Sequence, residues 1–220
     1  MDSTFDRFMP INGDHDLISP NCRIGKNVRL GQCVIEEGCS IGDNVFVGHF
    51  TMIRSGVKIG KNSVIGHLVM IEADTEIGEF TTIQSQCHIT KYAKIGDHTF
   101  WGPMSGCINT HRISHGRGFP AKLEGPVIKF GARIGTGALI MPGVVIGENS
   151  VVGAKSLVTK DVPDREVWLG HPARFKQMVL ADEILPGKGY HETIGGDDDS
   201  ERGKESPSMF AIYFGDGVRR

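Results

Sequence analysis

The chain has 220 residues, of which 39% are hydrophobic and 23% charged, and its formal net charge is −2. This charge gives no electrostatic basis for binding nucleic acid or an anionic membrane surface, and no apolar run is long enough for a membrane-spanning helix. Five cysteines without a CxxC pair predict reduced thiols, so we expect a cytoplasmic protein with one main domain and no membrane association.

Residues 1–16 contain four aspartates and no periodic apolar positions. We expect this segment to be a leader that precedes the folded domain.

From Ile18 onward, aliphatic or aromatic residues recur every six positions, with one step of five between Leu30 and Ile35. A period of six is neither the 3.6 of a helix nor the 2 of a long strand, so each unit is a very short strand followed by a turn. Glycine or asparagine often occupies the turn, where both tolerate positive φ. The recurring positions are Ile18, Ile24 and Leu30, then Ile35, Ile41, Val47, Ile53, Ile59, Ile65, Ile71, Ile77, Ile83, Ile89, Ile95 and Trp101, and finally Ile128, Ile134, Ile140, Ile146, Val152 and Val158.

Three such units form one triangular coil, and parallel hydrogen-bond ladders join successive coils. With a spacing of about 4.8 Å, about 21 units predict roughly seven coils and a prism about 34 Å long. The predicted fold is therefore all-β, a parallel β-helix.

Residues 59–64 (Ile-Gly-Lys-Asn-Ser-Val) and 146–151 (Ile-Gly-Glu-Asn-Ser-Val) resemble the hexapeptide repeat of the left-handed β-helix acyltransferase superfamily. Residues 158–163 and 170–174 resemble the segment that closes the helix in sugar and xenobiotic acetyltransferases. The resemblance implies left-handed coils over residues 17–174, a homotrimer, and acetyl-CoA as co-substrate.

The register breaks between Trp101 and Ile128, whose separation in sequence is not a multiple of six. Residues 109–125 contain no aliphatic repeat, and a loop of this length inside a compact repeat is usually functional. We predict that this segment protrudes from the prism.

Residues 175–220 follow the region of resemblance. The apolar residues of 175–185, ended by Pro186-Gly187, predict a short C-terminal helix, and residues 190–208 are predicted to be disordered. The sequence assigns no role to this tail.

His111 is the candidate catalytic base. The resembling galactoside and maltose acetyltransferases carry a catalytic histidine on a loop at this place, and imidazole can take the proton of a hydroxyl or amine that attacks a thioester. Related nucleotide-sugar N-acetyltransferases have an Asn-Thr pair here, so Asn109 is a candidate for orienting the acceptor, and a substrate-assisted route stays open. His115 is a second candidate base and also an acceptor-binding candidate. Because three units make one coil, His88, with Gln86, is expected beneath the start of the loop, and both are acceptor-binding candidates.

Cofactor binding is carried over from the resemblance to Thr136, Ala154, Thr159, Lys160 and Arg174. Residues with little side chain allow the peptide-like pantetheine arm of coenzyme A to approach the backbone. Lys160 and Arg174 are the cations that would hold its phosphates.

These features predict acetyl transfer from acetyl-CoA to a hydroxyl or amine of a sugar or nucleotide-linked sugar, by direct attack in a ternary complex. The alternatives are an antibiotic (xenobiotic) O-acetyltransferase, a zinc enzyme of the γ-carbonic anhydrase type, and a non-catalytic β-helix scaffold. His49 and His67 could form a metal pair, but no third histidine is in phase, so no metal is expected. The identity of the acceptor and the choice between O- and N-acetylation are not encoded in any spacing.

Overall fold

The computed structural model describes residues 17–187. The leader at 1–16 and the tail beyond residue 187 lie outside the described residues, so the predictions for them stay predictions. Within the described part, no helix is long and apolar enough to cross a membrane.

Very short strands make up the body of the molecule, each separated from the next by a turn. In chain order they are β1 (Leu17–Ile18), β2 (Arg23–Ile24), β3 (Arg29–Leu30), β4 (Val34–Ile35), β5 (Ser40–Ile41), β6 (Phe46–Val47), β7 (Met52–Ile53), β8 (Lys58–Ile59), β9 (Val64–Ile65), β10 (Met70–Ile71), β11 (Glu76–Ile77), β12 (Thr82–Ile83), β13 (His88–Ile89), β14 (Lys94–Ile95), β15 (Phe100–Trp101), β16 (Gly106–Cys107), β17 (Val127–Ile128), β18 (Arg133–Ile134), β19 (Leu139–Ile140), β20 (Val145–Ile146), β21 (Val151–Val152) and β22 (Leu157–Val158). Two longer strands follow, β23 (Glu166–Gly170) and β24 (Ala173–Met178), and then a 3-10 helix at Ala181–Glu183.

Every third strand joins the same parallel sheet, which gives the prism three faces. Sheet A runs from β1 to β22, sheet B from β2 to β20, and sheet C from β3 to β21 before it continues into β23 and β24. Each periodic residue pairs with its equivalent in the next coil, as Ile53 pairs with Ile71. The predicted parallel β-helix is confirmed, and its left-handed winding stays a prediction from the resemblance.

The core is a stack of inward-facing aliphatic side chains. The second residue of each short strand from β4 to β22 is buried, and Ile35, Ile53, Ile71 and Ile89 in sheet A are fully so, whereas Ile24 in the first coil is 40% exposed. Burying one such side chain contributes about 1.5–3 kcal/mol relative to leaving it exposed. The periodic positions of the sequence therefore identify the core.

Sheet A contains eight strands, so the structure has eight coils rather than the predicted seven. Three units were missed, and the first of them is β16, where Cys107 continues the six-residue register after Trp101 and pairs with Ile140 in sheet A. Cysteine behaves as a small hydrophobe, so a count of aliphatic residues passes over it. The last coil is irregular, because Val162 forms only an isolated bridge to Ile146 before β23 completes the coil.

The predicted helix over residues 175–185 is wrong. Residues 173–178 instead form β24, which pairs antiparallel with β23, and only Ala181–Glu183 turns helically, as a single 3-10 turn. β23 and β24 extend sheet C beyond β21, whose edge would otherwise present unpaired backbone groups. The domain boundary expected at 174 consequently falls within β24.

Candidate functional site

The loop at 109–125 leaves and re-enters the prism at the edge between sheets A and B, and its base is closed by hydrogen bonds. The amide of Glu124 donates to the carbonyl of Asn109 at 2.7 Å, and Thr110 and Leu123 form an antiparallel bridge. At the re-entry point, a Cβ on Gly125 would collide with the backbone of Tyr92 in the coil below. These contacts hold the two ends of the loop side by side.

His111 and Glu124 face each other across this base. The Nε2 atom of His111 lies 3.0 Å from Oε2 of Glu124, and Nζ of Lys122 lies 2.8 Å from the same oxygen. Hydrogen bonds from Lys122 and then from His111 lower the pKa of Glu124 below its usual value. An ionised carboxylate only accepts hydrogen bonds, so Nε2 of His111 is the donor in this contact. The pair therefore places an imidazole and a carboxylate in hydrogen-bonding contact at a partly exposed position.

Glu124 is the site residue that the sequence does not reveal. It lies at the other end of the loop from His111, and no fixed spacing connects a loop histidine with a carboxylate on the returning segment. Gly143, in the next coil, leaves room for it, because a Cβ on Gly143 would lie 2.9 Å from Cδ of Glu124. The amide of Gly143 also donates to the carbonyl of Glu124 at 3.1 Å.

Two of the predicted acceptor residues lie close to the loop. The amide nitrogen Nδ2 of Asn109 donates to the carbonyl of Lys91 at 3.2 Å, so the side chain also supports the loop base. His88 stands on the outer face of sheet A directly below Gly106, with Nε2 3.7 Å from Oε1 of Glu72.

The other two predicted acceptor residues are exposed and lie in different places. His115 lies in the exposed outer part of the loop, where its carbonyl accepts a hydrogen bond from Arg117 at 2.8 Å. Gln86 is exposed on the turn between sheets C and A, which is the opposite edge of sheet A from the loop.

The predicted cofactor residues divide between the same two edges. Thr136 and Ala154 follow strands of sheet C and stack in successive turns at the edge between sheets C and A, here called the C–A edge. Thr159 and Lys160 follow β22 and lie exposed at the A–B edge, above the loop. Arg174 is in β24, where its Nη1 donates to the carbonyl of Ala173. Sheet A thus separates two groups of candidate cofactor ligands.

The C–A edge has little side-chain cover in the upper coils. Gly102, Gly135 and Gly153 begin successive turns there, and a Cβ on Gly135 would lie 2.5 Å from the amide nitrogen of Ala154. The side chain of Lys155 lies across Gly137, since a Cβ there would be 2.8 Å from its Nζ. This edge therefore presents backbone together with a lysine that the sequence pattern did not single out.

Metal and thiol chemistry have no arranged site between residues 17 and 187. No group of three or more histidine, cysteine or acidic side chains there is placed to hold a metal ion. The rings of His49 and His67 are stacked 5.6 Å apart and nearly parallel, so their nitrogens do not converge. Cys107 is buried, and burial raises the pKa of its thiol to about 12, which keeps it neutral and a poor nucleophile.

Two family models match the repeats. The bacterial transferase hexapeptide (six repeats) model matches residues 38–73, 56–91 and 125–160, and the model for the hexapeptide repeat of succinyl-transferase matches residues 21–48. The chain therefore contains hexapeptide repeats of the kind that these two models describe. The matches leave out residues 92–124, which include His111 and Glu124.

Curated relatives of this hexapeptide-repeat protein include enzymes of different activity. It is 37% identical over 91 residues to a galactoside O-acetyltransferase of Lactococcus lactis, a match that covers 39% of this chain and 42% of the relative. It is 43% identical over 60 residues to a dTDP-3-amino-3,6-dideoxy-alpha-D-galactopyranose 3-N-acetyltransferase of Aneurinibacillus thermoaerophilus, covering 27% and 31%. It is also 36% identical over 70 residues to the mitochondrial gamma carbonic anhydrase 2 of Arabidopsis thaliana, covering 31% and 25%. The chain spans less than half the length of each.

Among solved structures, the hexapeptide-repeat protein is similar to a galactoside acetyltransferase in complex with coenzyme A. The TM-score is 0.52 and the identity 28%, over 60% of this chain and 70% of that one.

Proposed function

We propose that this protein transfers an acetyl group from acetyl-CoA to a hydroxyl or amine of a sugar or nucleotide-linked sugar. The observation that carries the proposal is the His111–Glu124 pair at 3.0 Å on the loop that interrupts the repeat. The acetyltransferases among the relatives support the reaction class, and the likeness to a coenzyme A complex supports the co-substrate.

The reaction needs one base and no covalent enzyme intermediate. Nδ1 of His111 takes the proton of the acceptor O–H or N–H as that atom attacks the thioester carbonyl. The tetrahedral intermediate collapses, the C–S bond breaks, and the protonated imidazole returns the proton to the leaving thiolate of coenzyme A. Glu124 keeps the imidazole in the required tautomer and stabilises its charged form.

At the glycine-bearing C–A edge, Thr136 and Ala154 would bind the cofactor. Thr159 and Lys160 lie on the other side of sheet A, at the A–B edge that also bears His111. Because one coenzyme A molecule would have to reach both groups, the proposal fits a homotrimer in which the C–A edge of one subunit faces the A–B edge of the next. Arg174 would then supply a cation for the phosphates from the end of the prism.

A turnover screen tests the proposal. Release of free thiol from acetyl-CoA would be followed with amino sugars, nucleotide sugars, galactosides and hydroxylated antibiotics as acceptors. We expect turnover with a sugar acceptor and a loss of at least about 100-fold in kcat for His111→Ala, which is the size of a general-base contribution.

Three outcomes would count against parts of the proposal. Undiminished activity of His111→Ala would remove that residue from the base role and favour a substrate-assisted route. Ping-pong kinetics with a trapped acetyl-enzyme would replace the ternary complex. Turnover of antibiotics alone would redirect the substrate class.

A further inference from the structure

The protruding loop is positively charged in a chain whose net charge is negative. Residues 109–125 contain Arg112, Arg117 and Lys122 against one carboxylate, Glu124, and they also carry His111 and His115. Of the three permanent cations, only Lys122 makes an ion pair within the described part of the chain. The loop therefore presents two uncompensated guanidinium groups.

Acidic side chains of the adjacent turns make their contacts with residues other than these arginines. The turns in question follow the sheet A strands in the coils around the loop. Their acidic residues and partners are Glu72 with His88 at 3.7 Å, Asp74 with Lys91 at 3.2 Å, and Asp161 with the amide of Val145 at 2.8 Å. None of these described carboxylates forms an ion pair with Arg112 or Arg117.

Internal contacts hold both arginines on the loop. The guanidinium carbon of Arg112 lies 4.0 Å from the centre of the Phe119 ring, which leaves the N–H edge of the group available. Nη1 of Arg117 donates to the carbonyl of His115 at 2.8 Å and leaves its remaining donors unused. A guanidinium fixed in this way loses less side-chain entropy when it binds an oxyanion.

We infer that the acceptor of the proposed transfer carries an anionic group, a phosphate or carboxylate, and that Arg112 and Arg117 bind it. Arg112 directly follows the proposed base in sequence, so an anion bound there would place the rest of the acceptor beside His111. That the bound anion belongs to an acceptor rests on the proposed function. Binding of an anion by the two arginines does not depend on turnover.

Coenzyme A is the other source of an anion at this site, because it carries phosphates of its own. If the arginines served the cofactor, their replacement would weaken acetyl-CoA rather than the acceptor. The acceptor and coenzyme A could both supply an anionic group. They are distinguished by whether the arginine variants lose affinity for the acceptor or for acetyl-CoA.

The first arm measures binding alone. Full-length protein would be titrated calorimetrically with inorganic pyrophosphate and, separately, with acetyl-CoA. We expect Arg112→Gln and Arg117→Gln each to weaken pyrophosphate at least about tenfold, since charge-assisted hydrogen bonds contribute that much, and to leave acetyl-CoA unchanged. Arg112→Lys keeps the charge but loses the planar fork, and we expect it to recover part of the affinity. Arg23→Gln, an exposed arginine of β2 far from the loop, is the control.

The second arm measures turnover with matched acceptors, a neutral sugar and its phosphorylated or uronic acid counterpart. We expect the anionic member to have the lower KM, and its KM to rise in both glutamine variants and with added salt while kcat stays within about threefold. Equal KM values for the pair, or pyrophosphate binding that is the same in wild type and in both variants, would overturn the inference. A weakening of acetyl-CoA alone would assign the arginines to the cofactor and overturn it too. Failure of every acceptor to react would count against the proposed function, while the binding arm would still decide the anion site.

Discussion

At the scale of single residues, Glu124 is the carboxylate that orients the imidazole of His111. The carboxylate accepts from Nε2 at 3.0 Å, and its pKa is lowered first by Lys122 and then by His111, so it stays ionised below the usual carboxyl range. In the proposed mechanism, this contact leaves Nδ1 of His111 to face the acceptor. Under that proposal Glu124 acts through His111 and is a positioning residue.

We expect Glu124→Gln to lower kcat about 10- to 100-fold, because an amide can pair with either tautomer of His111 and does not stabilise its charged form. The KM for acetyl-CoA should not change, since Glu124 is not among the proposed cofactor ligands. Steady-state measurement of kcat and of the KM for acetyl-CoA checks the prediction. Glu148→Gln, at another exposed glutamate, is the matched control. An equal effect on the two parameters would indicate a general loss of structure instead.

His49 and His67 have a structural role that their spacing alone did not reveal. Nδ1 of His67 accepts the amide hydrogen of His49 at 2.9 Å, and Nδ1 of His49 accepts that of Gln32 at 3.1 Å. Asp43 and Asp97 do the same for other coils, each accepting a backbone amide of the coil below. The histidine pair is thus part of a ladder of side-chain acceptors.

Replacing His67 by leucine should therefore cost about 0.5–1.5 kcal/mol of unfolding free energy, the net value of one hydrogen bond. His67→Asp is the matched variant, because aspartate already fills this role at positions 43 and 97, and it should retain most of the stability. Denaturant unfolding of both variants would measure the difference. Equal losses in the two would refute the acceptor role.

At the scale of elements, the turns set how closely the coils stack. The turn after each strand of sheet C lies directly against the corresponding turn of the next coil. In the upper coils the first residue of this turn is glycine. At Gly135 the reason is direct, because a Cβ would lie 2.5 Å from the backbone nitrogen of Ala154. A side chain there could be accommodated only by moving backbone.

Gly135→Ala should lower the free energy of unfolding by about 1–3 kcal/mol, the range for overpacking. Gly118→Ala, in the loop, is the control, since nothing lies within 4 Å of its added Cβ. Thermal denaturation would compare the two. A Gly135→Ala protein as stable as the Gly118→Ala protein would mean that the coils separate more easily than their geometry indicates.

The C-terminal elements show where local pattern is insufficient. Residues 175–185 have an apolar composition that fits a short helix, yet β24 pairs with β23 and the chain then returns along sheet C. Glu183 reaches Arg133 at 2.7 Å, and the amide of Leu185 donates to Oδ1 of Asn149 at 3.0 Å. These partners are distant in sequence, so the pattern of the segment alone does not include them.

At the scale of the whole molecule, sheet A lies between the two candidate edges and carries apolar groups on its outside. Val34, Met52 and Met70 face outward from its strands, and the neighbouring turns expose Phe50 and Leu68, at 68% and 53%. Exposed apolar surface of this kind marks an interaction site. It agrees with the homotrimer that the resemblance implies.

Light scattering should therefore give three times the mass of the chain. Leu68→Asn together with Phe50→Asn should shift the equilibrium toward the monomer by removing apolar surface. Asparagine suits the positive φ of 57° and 60° at these positions, as it does at Asn62, so folding should be preserved. A wild-type monomer would contradict both the assembly and the shared cofactor site.

The sequence by itself determined the repeat, the inward-facing core and the place of the loop, because a six-residue period repeats the same local geometry in each coil. It also pointed to His111, since the break in that period is visible along the chain. Only the tertiary structure decided that Glu124 pairs with His111, that Cys107 belongs to the register, that the C-terminal segment is a hairpin, and that the cofactor candidates occupy two edges. Each of these depends on contacts between residues distant in sequence, for which the repeat supplies no spacing rule.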